Sequence, residues 1–221
     1  RGHLRMATYL ETVNNVLRRL REPTVSSVNE SGYSAMIGVF VNDAKREVED
    51  AHDWNVLSDT LTANTSSGIF NYVLVGSGNR FRVIDVLNDS NDTELRYAPT
   101  KWMNKQFLLT NTQSAAPLFY NFNGVDSNYD TQVDIYPVPD TVYALRFNLI
   151  IPQADLTSDS TRILVPPHLV SQLAYAKAIA ERGEDGGNLS SEAYGLYKMS
   201  LANEIAIERN RYEEEMNWVA P

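Results

Sequence analysis

Three arrangements in this chain group residue types that can do chemistry. Glu49-x-x-His52 has the i, i+3 spacing with which a helix presents a carboxylate and an imidazole to a pair of metal ions. Such a site needs a second pair of this kind and two more inward glutamates, and only His3 and His168 remain in the chain. His52 is therefore expected at a helix C-terminus, near the negative end of the dipole. Gly76 and Gly78 follow the apolar run FNYVLV, where a phosphate-cradling loop would carry its first two glycines. Phe81 stands where the third glycine belongs and strand-like residues follow, so a hairpin turn is expected instead. Two carboxylates across a cleft would suffice for glycoside hydrolysis, and spacing alone does not locate them. No nucleophile elbow, Walker-type loop or His-Glu-x-x-His occurs. The expectation is a protein with no catalytic residues, no metal and no cofactor.

Bulk composition narrows the classes further. The 221 residues are 43% hydrophobic, enough to bury a sizeable core. With no cysteine, disulfides, thiolate-bound zinc, iron–sulfur clusters and a cysteine nucleophile are all excluded. No run of eighteen apolar residues exists to cross a bilayer, so no membrane partner is expected. The opening RGHLRM is expected to be a remnant ahead of a natural start at Met6. A formal charge of −9 and a pI near 4.8 oppose tight phosphate binding. Like charge would instead let duplex DNA slide past without sticking.

The elements that must position any site come from periodicity. A helix is expected over ATYLETVNNVLRRLRE, with a capping box from Thr8 to Glu11 and an apolar face of Leu10, Val13, Leu17 and Leu20. A second is expected over residues 33–53, burying Ile37, Phe40, Ala44 and Val48 while Asp43, Lys45, Arg46, Glu47, Glu49 and Asp50 form a solvated face. From Trp54 the texture turns to short alternating runs broken by turn residues, with TKWMNKQFLL as a short helix or helical turn. VDIYPVPDTVYALRFNLIIP reads as two strands joined by a β-hairpin turn at Pro137, Pro139 and Asp140, since proline cannot donate to a ladder. Either Val142 and Ala144 or Tyr143, Leu145, Phe147 and Leu149 would face inward. The helical period returns at Pro166-Pro167 and runs to Gly183, a natural C-cap. A last helix is expected over residues 190–217, with Tyr194, Tyr197, Leu201, Ile205 and Tyr212 inward and a charged outer face.

The expected fold class is α+β, a four-helix bundle built from the N- and C-terminal helical pairs with an inserted antiparallel β region. The corresponding segments are 1–53, 54–160 and 161–217, followed by a tail at 218–221.

Four stretches, LETVNNVLRRLREPTVSSV, VNDAKREVEDAHDWNVLSD, DIYPVPDTVYALRFNLIIP and LVPPHLVSQLAYAKAIAERGEDGG, resemble in their order the tail tubular protein A family of short-tailed bacteriophages. These are tail adaptors, or head-to-tail connectors. The resemblance covers nearly the whole chain from Met6. It implies a structural virion protein of the phage tail at the head-to-tail junction. Its partners would be further copies of the chain in a twelve-membered ring, the portal protein, the tail nozzle (tail tubular protein B) and the tail fibre, with duplex DNA passing through unbound. The Pro137, Pro139 and Asp140 turn would meet a neighbour or the nozzle, or would merely close a sheet within one chain. Tyr212, Glu213, Glu214, Glu215 and Trp218 would dock on the portal, with an aromatic anchor beside steering charges, unless Trp218 folds back on its own helices. Two other readings remain: a tail enzyme degrading polysaccharide or peptidoglycan, and a carbohydrate-binding module using Tyr97, Trp102, Phe119 and Tyr120.

Overall fold

In the computed structural model, residues 6–183 and 187–211 are described. Their helices are α1 (Tyr9–Arg19), α2 (Gly32–Ala51), α3 (Thr100–Phe107), α4 (Pro167–Arg182) and α5 (Asn188–Arg209). The strands are β1 (Ser58–Asn64), β2 (Asn71–Val73), β3 (Arg82–Asn88), β4 (Thr93–Glu94), β5 (Arg96–Tyr97), β6 (Phe119–Val125), β7 (Thr131–Tyr136) and β8 (Ala144–Ile150). The expected four-helix bundle with an inserted antiparallel β region is not what forms. Among the described residues there are five α-helices spread along the sequence and two four-stranded sheets. The third helix arises among the strands because Pro99 opens it and Trp102, Met103 and Phe107 recur at helical spacing. The α5 helix, expected as a full bundle member, fully buries only Tyr197 and Glu208 and packs chiefly on α4.

The chain separates into two compact units, one from Arg1–Val56 with Gln153–Pro221, the other Leu57–Pro152. In the first unit, α1 starts at the expected box: Thr8 Oγ1 accepts from the Glu11 amide at 3.2 Å, and Glu11 Oε2 accepts from the Thr8 amide at 2.9 Å. A reciprocal pair between Ser31 and Ser34 starts α2. Gly183, at φ 62°, closes α4 in the left-handed conformation that glycine tolerates without strain. Val13, Val16, Leu17, Ile37, Val41, Ala44, Val48, Leu169, Val170 and Leu173 form the buried interior, and Trp54 donates its ring N–H to Val48 O at 2.6 Å.

The expected solvated face of α2 is partly wrong. Lys45 and Glu49 are fully buried and paired at 3.2 Å, beneath a non-helical strap of residues 153–165. The strap is pinned where its backbone would otherwise lack partners. Lys45 Nζ donates to Gln153 O, Gln153 N donates to Glu49 Oε1 at 3.2 Å, and the Asn42 side chain bonds both the N–H and the C=O of Leu156, at 2.8 and 3.1 Å. Burial raises the Glu49 carboxyl above its ordinary range, with Lys45 opposing the shift.

In the second unit the sheets run in the orders β1-β8-β3-β4 and β2-β7-β6-β5. Most pairings are antiparallel, but β5 and β6 run parallel. Leu145, Phe147 and Leu149 of β8 point inward, together with Val86, Tyr120, Val133 and Ile135. The Tyr143 series is thus the buried one. The other side of β7 is covered too, since Tyr136 packs with Ala98 and Met103 against Trp102, Phe107 and Phe119.

Candidate assembly surfaces

The proline segment does not form a hairpin. β7 belongs to one sheet and β8 to the other, so residues 137–143 carry the chain between layers. Two residues without an N–H suit a stretch that leaves one ladder before joining the next. The crossing is tied down internally: Val138 exchanges backbone bonds with Gln113 and Ala115, both 3.0 Å, and Pro139 O accepts from Gly68 N at 2.9 Å. Pro137 and Pro139 are buried, while Asp140, Thr141 and Val142 are exposed. Asp140 accepts the Tyr143 hydroxyl at 2.6 Å, which holds that phenol above its ordinary range. Of the three turn residues singled out, only Asp140 is exposed.

The glycine loop likewise connects sheets, from β2 to β3, and is not a hairpin turn. Gly76 N and Gly78 N both donate to Asp130 Oδ1, at 3.0 and 3.1 Å. Two amides converging on one oxygen make an anion nest, and the chain's own carboxylate fills it. His52 ends α2 and meets Trp54 edge-on, with ring centroids 5.2 Å apart. Among the described residues no cluster of three or more His, Asp or Glu side chains could hold a metal.

The four aromatic residues named for sugar binding are mostly engaged with other rings of the unit. Trp102 packs on Phe119 and Tyr136, and Tyr120 is buried between Tyr97 and Phe122. Only Tyr97 is well exposed among the four named residues.

Tyr212, Glu213, Glu214, Glu215 and Trp218 lie outside the described residues. The described chain ends at Arg211, paired with Glu208 at 2.9 Å. Arg211 lines a cavity of about 240 Å³ together with Trp54, Val56, Pro166, Pro167 and His168.

Sequence reasoning missed the outer side of α5. Instead of a purely charged face it shows Leu189, Leu196, Met199 and Ile207, between 53% and 67% exposed. A second apolar series spaced 7, 3 and 8 residues apart, close to whole helical turns, was the available signal, masked by the stronger Tyr197 and Leu201 series beside it. Exposed apolar stripes of this kind mark contact surfaces.

A family profile described as SU10 adaptor protein matches residues 7–219, almost the whole chain. The chain belongs to the SU10 adaptor protein family. It is thus a structural phage tail adaptor, a virion component of the tail or head-to-tail junction that contacts other head and tail proteins. The likeness to a tail adaptor therefore holds, while the family matched is the SU10 adaptor protein, not tail tubular protein A. No curated protein matches the chain.

Proposed function

We propose that the adaptor assembles as a ring of twelve copies in a short-tailed phage, joining the portal to the tail nozzle and letting duplex DNA pass. The family match over residues 7–219 carries this reading. The formal charge of −9 supports passage without adhesion, because a basic bore would neutralise phosphates and hold the duplex. The segment of Tyr212, Glu213, Glu214, Glu215 and Trp218 docks on the portal, where the tryptophan fills a pocket and the glutamates steer it to a basic surface. Asp140, at the exposed end of the sheet crossing, faces a neighbour or the nozzle.

Electron microscopy of the full chain mixed with its portal protein tests the ring directly. Twelve-fold rings stacked on the portal are expected, and a chain that stays monomeric and unattached overturns the proposal. Deleting residues 213–221 separates docking from folding. Portal attachment should vanish while the melting temperature stays within a few degrees; a large fall in melting temperature would assign the segment to the fold.

A further inference from the structure

At the edge of a sheet every second residue turns its N–H and C=O away from the ladder, and a strand of another chain can pair there. β1 is such an edge in one sheet and β2 in the other. The two line a single groove of about 430 Å³. Which β1 groups point away from β8 follows from the ends of their ladder, where Leu57 O accepts from Ile151 N and Thr65 N donates to Tyr143 O, both at 2.9 Å. The alternation of an antiparallel pair then turns Thr60, Thr62 and Asn64 outward. The Thr60 amide is taken by the Asp59 side chain at 2.7 Å. Among the described residues, Thr62 and Asn64 have no backbone hydrogen bond on that side. Natural edges are blunted by lysine, proline, a bulge or shortness. β1 has none of these: Ser58–Asn64 runs seven residues in unbroken register.

Resting on the ring reading, we infer that β1 receives an extended, uncharged strand from a different head or tail protein, which lengthens its sheet. The groove selects that chemistry. Leu61, Ala63, Tyr72, Val73 and Val75 offer apolar surface, Val75 being 76% exposed, and none of the lining residues is charged. A carboxylate or ammonium seated there would lose water without gaining a partner. The incoming strand therefore carries an apolar residue at every second position, on the side of Leu61 and Ala63. The strands of another copy do not fit the role. Its other described sheet edges, β2, β4 and β5, are three, two and two residues long. Pairing β1 with β1 would be a two-fold contact, which closes a dimer instead of a ring. The edge also leads toward the sheet crossing, since Thr65 Oγ1 donates to Thr141 O at 3.1 Å, beside the exposed Asp140 and Val142.

Amide exchange of the full chain reads the edge directly, alone and after mixing with its portal protein, its nozzle protein or both, with attachment followed by sedimentation. In the monomer the Thr62 and Asn64 amides should exchange freely, and in one of the complexes they should slow by about tenfold or more. Thr62→Pro removes an outward N–H and spares the ladder to β8. It should weaken attachment to whichever protein protects β1 by about tenfold, the equivalent of one lost hydrogen bond, and leave the melting temperature within a few degrees. Thr62→Val, which keeps the amide, should attach like wild type. Unchanged exchange in complexes that do form overturns the inference, as does a Thr62→Pro chain that folds and attaches normally. Protection in the chain alone, as monomer or oligomer, would mean that the protomer or a second copy covers β1, and overturns it too. Attachment to neither protein overturns the ring reading itself, and this inference with it.

Discussion

At the scale of single residues, Gly38 sets how closely α1 approaches α2. A Cβ there would lie 2.7 Å from Val28 Cγ1 and closer still to the Tyr9 hydroxyl. Replacing a mid-helix glycine by alanine ordinarily gains roughly 0.5–1 kcal/mol from backbone entropy. Overpacking a close contact costs about 1–3 kcal/mol, so the clash should win. Gly38→Ala is therefore expected to lower stability in chemical denaturation; a stabilised variant would refute the close packing. Tyr197 supplies a second test. Burial pushes its phenol up to about 12, with Glu47 and Tyr194 adding to the shift. The unfolded phenol ionises near 10, so the folded chain keeps this stability in full below pH 10 and loses it as pH rises through 12. The shift of about two pH units corresponds to roughly 2–3 kcal/mol. Wild type should lose about that much relative to Tyr197→Phe between pH 10 and 12 in urea titrations, and equal losses would contradict the burial.

Among the elements, α5 and α4 differ in what holds them. The α4 helix buries Leu169, Val170, Leu173, Ala174, Ala176 and Ala178, whereas α5 fully buries only Tyr197 and Glu208. Helical hydrogen bonds alone are marginal without such packing. In the isolated protomer, α5 amides should exchange with solvent at least tenfold faster than those of α4, measured by hydrogen–deuterium exchange. Equal protection would show that α5 has a covering the protomer itself provides. The proline crossing illustrates a different limit of local reading. The residues of β7 and β8 were legible as strands, but their partners were not, because a ladder is chosen by residues distant in sequence. Here β8 pairs with β1 and β3, and β7 with β2 and β6.

At the scale of the whole molecule, the β unit has its own core and closes on itself. Ile151 N donates to Leu57 O at 2.9 Å, next to the β1–β8 ladder, so the two ends of Leu57–Pro152 lie side by side. Its core cluster, with Leu145, Phe147, Leu149, Val133 and Ile135, is made of residues from within the unit. Expressed alone, residues 57–152 should fold and unfold in one cooperative transition, by circular dichroism and near-ultraviolet signals together. A molten product lacking fixed aromatic signals would show that the helical unit completes that core.

The sequence by itself determined the start of α1 at its capping box, the end of α4 at Gly183, the strand content of the middle and the lack of catalytic motifs. Each of these rests on residues within a few positions of one another, where hydrogen-bond geometry and side-chain period act directly. It also carried the order of segments by which the chain is legible as a tail adaptor. Tertiary structure decided the rest. Lys45 and Glu49 look like solvated charges until a strap from more than 100 positions away covers them, and the period-2 runs look like hairpins until two sheets divide them. The fate of α5 turned on competition for buried area: among the described residues α1, α2 and α4 pack on one another, and α5 packs chiefly on α4. Local pattern states which side of a helix is apolar; only the packed chain states whether that side is already covered.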